Sequence, residues 1–565
     1  MKQIERYAAL LSVVLVASCN SGGGDTDDSS TADGSGSSGT PARETVYPVD
    51  TQEAVKFLNQ ASFGGSADDI ASVEAQGLET WIYEQSQLPI VSFTDRLIAA
   101  DDVQDVTPDV VQALFWERAV HADDQLRQRV TFALSQIVVA SLADGAVSRR
   151  EREYGVYLDI LQRHALGNYC DMVREISFNP VMGLFLTHLG NRKADAATGF
   201  VPDENYAREV MQLFTIGLEV LNSDGTGQGT ETYTLEDVQG LAAVFTGLSW
   251  ADTDFERPRI GDNNRYLPME SYIAEHEDGP KSFLGTTVDL GGDAEVSVDE
   301  ALDYLLAHQN VAPFISQQLI QKLVTSNPSP SYVSRVASVF TSGSYVLPDG
   351  RMLGTGQRCD MAATVAAILL DDEARGAAPN ENFGKLRSPV LRMAQYLRAF
   401  RIDQELTTTG AVPRVRDLVR LEETDRFGQN AFSSPSVFNF FRPGYVAPGT
   451  ESADLGLKTP EFQLATTPSL IGYINTMESF IDGFTLDDGT EYVDRSKYLE
   501  LAGNAAELVD ALDVLLTGGT LSAVNRDRIV SAVELYDMSR DSDALNRLEM
   551  ALMLMITSPE YLVQR

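Results

Sequence analysis

Histidine, cysteine and basic side chains are scarce in this chain of 565 residues. Its five histidines are His121, His164, His188, His276 and His308. No two of them lie three or four residues apart, so no helix offers a ready-made histidine pair to a transition metal. The sequence has no Gly-x-Ser-x-Gly elbow, His-Glu-x-x-His run, Cys-x-x-Cys pair or Walker loop, and it implies no cofactor. Lys and Arg number 43 against 82 Asp and Glu, a net charge of −39. This balance argues against nucleic acid as a partner, because affinity for phosphate backbones comes mostly from Lys and Arg. It argues equally against docking of the folded part on anionic lipid. The apolar run at residues 8–16 is too short to span a bilayer, which takes about 20 residues.

That short run has a different meaning. Lys2 and Arg6 precede it, and the small residues Ala17 and Ser18 follow it, the pattern of a secretory leader. Val16-Ala17-Ser18-Cys19 has the form of a bacterial lipobox, in which the Cys19 thiol is acylated and becomes the mature N-terminus. An ordinary cleaved leader that happens to hold a cysteine is the alternative. Asn20 after the cysteine, in place of an Asp, favours the outer membrane. Residues 20–40 hold nothing larger than Thr, Asn or Asp and bury too little apolar surface to fold, so they read as a flexible tether reaching roughly 25 Å. The expected organisation is a lipoprotein leader at 1–19, a tether at 20–46 and a helical body at 47–565 in one or two lobes. With Cys19 acylated, Cys170 and Cys359 remain; a disulfide and two separate thiols both stay open.

Through the body, apolar residues recur at helical spacing, for example at 51–60, 110–121, 125–143, 154–166, 205–218, 235–248, 312–325, 388–400 and 541–556. Ser297-Val298-Asp299-Glu300 reads as a capping box, and Thr234-Leu235-Glu236-Asp237 as its near relative. Period-two runs are scarce. The expected fold is all-α, with at most a short hairpin in three loop-rich zones at 222–232, 251–295 and 430–467. Gly225-x-Gly227-x-Gly229 follows no strand and reads as a flexible turn.

Two constellations carry chemistry. His276-Glu277-Asp278-Gly279-Pro280-Lys281 puts a histidine, two acids and a lysine beside a Gly-Pro turn. It reads either as an exposed polar loop or as a general acid–base group. In Pro202-Asp203-Glu204-Asn205-Tyr206-Ala207-Arg208-Glu209, Asp203 is placed to cap a helix. Helical geometry then puts Glu204, Asn205, Arg208, Glu209, Gln212 and Thr215 on one arc. That arc is a solvated stripe unless it faces a cleft.

The run 202–209, Leu213-Phe214-Thr215-Ile216-Gly217, Tyr233-Thr234 and Thr246-Gly247-Leu248-Ser249-Trp250 resemble the signature of a bacterial family called domain of unknown function 1800. Phe57 to Gly64, Lys385-Leu386-Arg387-Ser388-Pro389 and Ser434 to Tyr445 extend the likeness, in order, from about Val55 to the C-terminus. The resemblance implies a large, secreted, mostly helical protein and leaves its activity open. It also implies a neighbour, since genes of this family often adjoin members of family 1501, which resemble alkaline-phosphatase-like hydrolases. There are departures. Many relatives carry Trp-His-Asn-His after the Arg-x-Arg helix, where this chain has Phe132-Ala133-Leu134-Ser135-Gln136, and many carry His in place of Phe214.

The leading expectation is an envelope-anchored binding, scaffold or accessory protein that works with such a hydrolase-like partner. The alternative is a hydrolase of an extracellular polymer. Glu204, Glu209 and Asp237 would then supply carboxylates, His276 acid–base function, and Arg208 or Lys281 charge stabilisation. A third option is carbohydrate binding by Phe438, Phe440, Phe441 and Tyr445, against which stands their use as core plugs.

Overall fold

Two helices that solvent barely reaches form the centre of the molecule. Ten of the eleven residues of Gln125–Ser135 are buried, and all eleven of Pro389–Ala399. The computed structural model describes residues 49–101, 105–288, 293–376, 382–401, 426–482 and 493–565. Cys19, the leader and the whole of the proposed tether at 20–46 therefore lie outside the described residues. Gln125–Ser135 packs against Thr51–Ala61, Leu78–Gln87, Pro108–His121, Glu151–His164 and Val311–Leu323. Pro389–Ala399 packs on Pro108–His121 and Ala505–Thr517, and the latter carries Ala523–Val533 and Asp543–Ile556. Helices account for 55% of the described residues, so the fold is mainly all-α. Among the described residues, no helix is long and apolar enough to cross a membrane.

Helix starts follow local chemistry. Side chains of Asp50, Ser66, Asn168, Asn179, Ser329, Asp360, Thr466 and Asn504 accept N–H groups of the first turns they precede. Strands come only as two-stranded antiparallel pairs among the described residues. The glycines at 225–229 do follow a strand: Glu219–Leu221 pairs with Gly227–Glu231, Gly225 lies in the turn between them, and Gly225 and Gly229 both have positive φ. The loop zone at 251–295 contains Lys281–Phe283 paired with Thr286–Val288. Lys281–Phe283 also packs along the helix Leu235–Val244. A Cβ on Gly240 would stand 1.7 Å from the Ser282 carbonyl oxygen, so only glycine permits that approach.

Three sequence expectations need correcting. The helix expected over 125–143 stops at Ser135. Beyond it, the Val138 and Ala140 carbonyls accept the hydroxyls of Tyr157 (2.6 Å) and Tyr154 (2.8 Å), which replace helical partners. The helix expected over 205–218 is α-helical only over Asn205–Glu209 and then π-helical over Val210–Thr215. The Thr215 hydroxyl donates back to the Val210 carbonyl at 2.5 Å, five residues earlier, and the arc drawn through Thr215 is lost. Ser297 starts no helix. Asp293 caps Ala294–Leu306, and Ser297 is buried within it.

Cys170 and Cys359 form a disulfide, with Cα atoms 5.7 Å apart and 189 residues between them in sequence. It ties the helix Tyr169–Ser177 to the start of Met361–Leu369.

Candidate functional site

Around Glu204 the backbone brings together side chains from three segments. Asp203 accepts the Asn205 N–H and the Thr187 hydroxyl, both at 2.9 Å, so it does order the start of the short helix. Glu204 and Arg208 form an ion pair of 2.9 Å, about one-third exposed. On such a surface the pair is worth a few tenths of a kcal/mol. Glu204 also accepts from Gln239 Nε2 at 3.2 Å. The π-helical turn holds Gln212 where its Oε1 accepts the Tyr233 hydroxyl at 3.3 Å. Insertions of this kind in helices are frequent at functional sites. Glu209 is buried, and no hydrogen-bond partner reaches its Oε2. Burial pushes its carboxyl above the usual range, against the pull of Arg208. Burial, with Glu209 nearby, pushes the Tyr233 phenol up to about 12. Glu204, Arg208, Glu209, Gln212, Tyr233 and Gln239 thus make one polar face.

Of the other three candidates, Asp237 and His276 are structural ties and Lys281 is buried. Asp237 completes the capping box with Thr234, and its second oxygen accepts the Leu284 N–H at 2.6 Å. Burial opposes ionisation there, but the Thr234 and Leu284 donors hold the carboxyl below the usual range. His276 has no exposed surface, so it does not lie in an open polar loop. Its Nδ1 is 2.8 Å from the Thr246 carbonyl and its Nε2 is 3.0 Å from the Ser297 hydroxyl. That network assigns the proton to Nδ1, which donates to the carbonyl, and leaves Nε2 to accept from the serine. Lys281 is 1% exposed, on the strand beside Gly240. Asp237 and His276 therefore fasten the loop of 251–288 to the two ends of one helix. The candidates separate into the half-exposed pair Glu204 and Arg208 with Glu209 buried beneath it, and a scaffold of the half-buried Asp237 with the buried His276 and Lys281. Among the described residues no group of His, Cys, Asp and Glu is arranged to hold a metal ion.

The aromatic segment divides too. Phe441 is buried under Lys322, whose Nζ lies 4.6 Å from the ring centroid, whereas Phe438 is exposed beside Arg442.

Two features were not found from the sequence. His188 is buried, stacks on Tyr206 at 3.9 Å, and has Nε2 3.0 Å from the Ser177 carbonyl. Burial pushes it down to about 4. The second is a buried basic cluster of Arg129, Lys322 and Lys385, with Glu461 paired to Lys385 at 2.8 Å. Burial is the main force pushing Lys322 down to about 7, with Lys385 and Arg129 adding to it and Glu461 opposing. The signal was present: Arg127-Gln128-Arg129 and Lys385-Leu386-Arg387 are basic runs inside apolar surroundings.

The model of the family described as Protein of unknown function (DUF1800) matches residues 56–563, and the chain belongs to that family. No curated protein and no solved structure matches it.

Because His188 is held neutral in the fold and titrates near 6.5 when unfolded, acid favours the unfolded chain. Its contribution is complete above pH 6.5 and is lost as pH falls toward 4. At about 1.4 kcal/mol per pKa unit, this is roughly 3 kcal/mol. Denaturation of wild type and His188→Gln at pH 7 and pH 4 should show a smaller acid loss in the variant. An equal loss in both contradicts this role.

Proposed function

We propose that this chain is a binding or accessory protein of the bacterial envelope, anchored by lipid at Cys19 and held off the membrane by residues 20–46. In this reading the face of Glu204, Arg208, Gln212, Tyr233 and Gln239 engages a secreted hydrolase-like partner of family 1501. The observation that carries it is the fate of the polar candidates. His276, Asp237 and Lys281 are absorbed into packing, which leaves a charged, partly exposed face suited to recognition. Mixed-sign groups at such a face set register and partner choice more than raw affinity. The test is calorimetry and co-elution of the detergent-extracted full chain with the purified partner. The expected result is a complex that Arg208→Glu weakens at least tenfold. No complex in repeated trials, or equal affinity in the variant, contradicts the reading.

One observation favours a hydrolase instead. A buried carboxyl with a raised pKa and an unpartnered oxygen, as at Glu209, suits a general acid beside the ion-paired Glu204. On that reading the chain releases reducing ends from a polysaccharide and Glu209→Gln abolishes release. No release by wild type, or unchanged release by the variant, removes it.

A further inference from the structure

A large cavity among the described residues shares no residue with the face of Glu204. It has a volume of about 620 Å³ and lies between the start of the helix Thr51–Ala61, Gly376 and the C-terminal strand. Small-molecule sites span roughly 300–1,000 Å³, so it has room for one sugar-sized ligand or more. Its charge runs against that of the chain. Lys56, Arg375, Arg387 and Arg565 line it, in a protein of net charge −39.

The acids that share the lining are already engaged. Asp50 caps the helix by accepting the Glu53 N–H at 2.9 Å. Glu53 pairs with the buried Arg375 at 2.8 Å. Glu560 accepts from the Ser522 N–H at 3.1 Å and from Asn525 Nδ2 at 3.0 Å. The Lys56 ammonium, by contrast, has one hydrogen-bond partner among the described residues, the Gly376 carbonyl at 3.2 Å. An ammonium has three donors, so two remain for a ligand. Arg387 is buried at the cavity wall, and its Nε has no partner. Amides and hydroxyls complete the lining, from Asn59, Gln564, Thr517 and Thr520.

We propose that this cavity binds a singly charged, polyhydroxylated carboxylate, an acidic sugar of the uronate class, with the carboxylate on Lys56 and the hydroxyls on the surrounding amides and threonines. One unpaired ammonium suits one negative charge. A doubly charged phosphate would need a second free cation inside the cavity; the guanidinium of Arg375 is tied to Glu53, that of Arg387 donates to Gln395 and to the Tyr561 carbonyl, and Arg565 is exposed. Burial first, and Arg375 second, push the Lys56 ammonium down to about 8, against the pull of Glu53. A bound carboxylate would relieve that cost, and binding needs the charged ammonium. Affinity therefore holds below pH 8 and falls as pH rises through it.

The test is calorimetry and thermal unfolding of the full chain with sodium galacturonate, galactose and inorganic phosphate, for wild type and Lys56→Gln. Galacturonate is expected to bind and to raise the Tm. Galactose should do neither, and phosphate should bind at least tenfold more weakly. Lys56→Gln should weaken galacturonate binding at least tenfold, and wild-type affinity should drop between pH 7 and pH 9. If Lys56→Gln fails to fold, the pH series on wild type reads the same ammonium. Absence of galacturonate binding, equal binding of galactose or phosphate, or affinity indifferent to both Lys56→Gln and pH overturns the proposal.

Discussion

The architecture depends on how helix C-termini are satisfied inside a large protein. Each helix ends with carbonyls that lack an intrahelical partner, and a buried end must find donors elsewhere. Here the donors are side chains from distant parts of the chain. At the end of Val311–Leu323, Arg129 donates to the Lys322 carbonyl at 2.7 Å and Lys385 Nζ to the Gln321 carbonyl at 2.7 Å. Gln564 donates to the Leu323 carbonyl at 2.7 Å. Arg398 closes Pro108–His121 at the Val120 carbonyl, Arg127 closes Glu151–His164 at Gln162, and Gln395 closes Ala505–Thr517 at Leu516. Cations at C-termini also gain from the helix dipole. The two central helices thus act as a polar spine: Gln125–Ser135 and Pro389–Ala399 present Arg127, Arg129, Gln395 and Arg398 to the ends of their neighbours.

This arrangement gives the net charge a spatial meaning. Basic residues are drawn inward as caps, while many acids stand at N-termini and on the exterior. Against that background, a cavity lined by Lys56, Arg375, Arg387 and Arg565 is a local reversal of sign. The same spine accounts for Lys322, whose backbone carbonyl is capped while its ammonium sits over Phe441 in place of a carboxylate.

What could be read from the sequence follows from the range of each interaction. The helices at 51–60 and 312–325 were legible because apolar spacing is local, and Thr234–Asp237 is the capping box its residues announce. Where long-range partners compete, the reading slipped. Tyr154 and Tyr157 end the helix at Ser135, and Ser297 gives up a capping role to meet His276. The candidate site was half legible. The pattern of 202–209 placed Glu204 and Arg208 correctly on one face, but spacing cannot reveal that His276 is enclosed by Thr246 and Ser297, or that Tyr233 and Gln239 return to that face. Lys56 could not be singled out at all, because its cavity is assembled from both ends of the body.

The central claim is that buried cations hold this fold by capping carbonyls. Replacement of buried charge by apolar groups is often neutral or stabilising, so the claim has a clear alternative. Arg129→Met keeps the length and apolar bulk of the side chain and removes the donor to the Lys322 carbonyl. Equilibrium denaturation of this variant against wild type is the direct measurement. The account predicts a loss of about 2–3 kcal/mol, the worth of a buried hydrogen bond from a charged donor. Stability equal to or above that of wild type would contradict it.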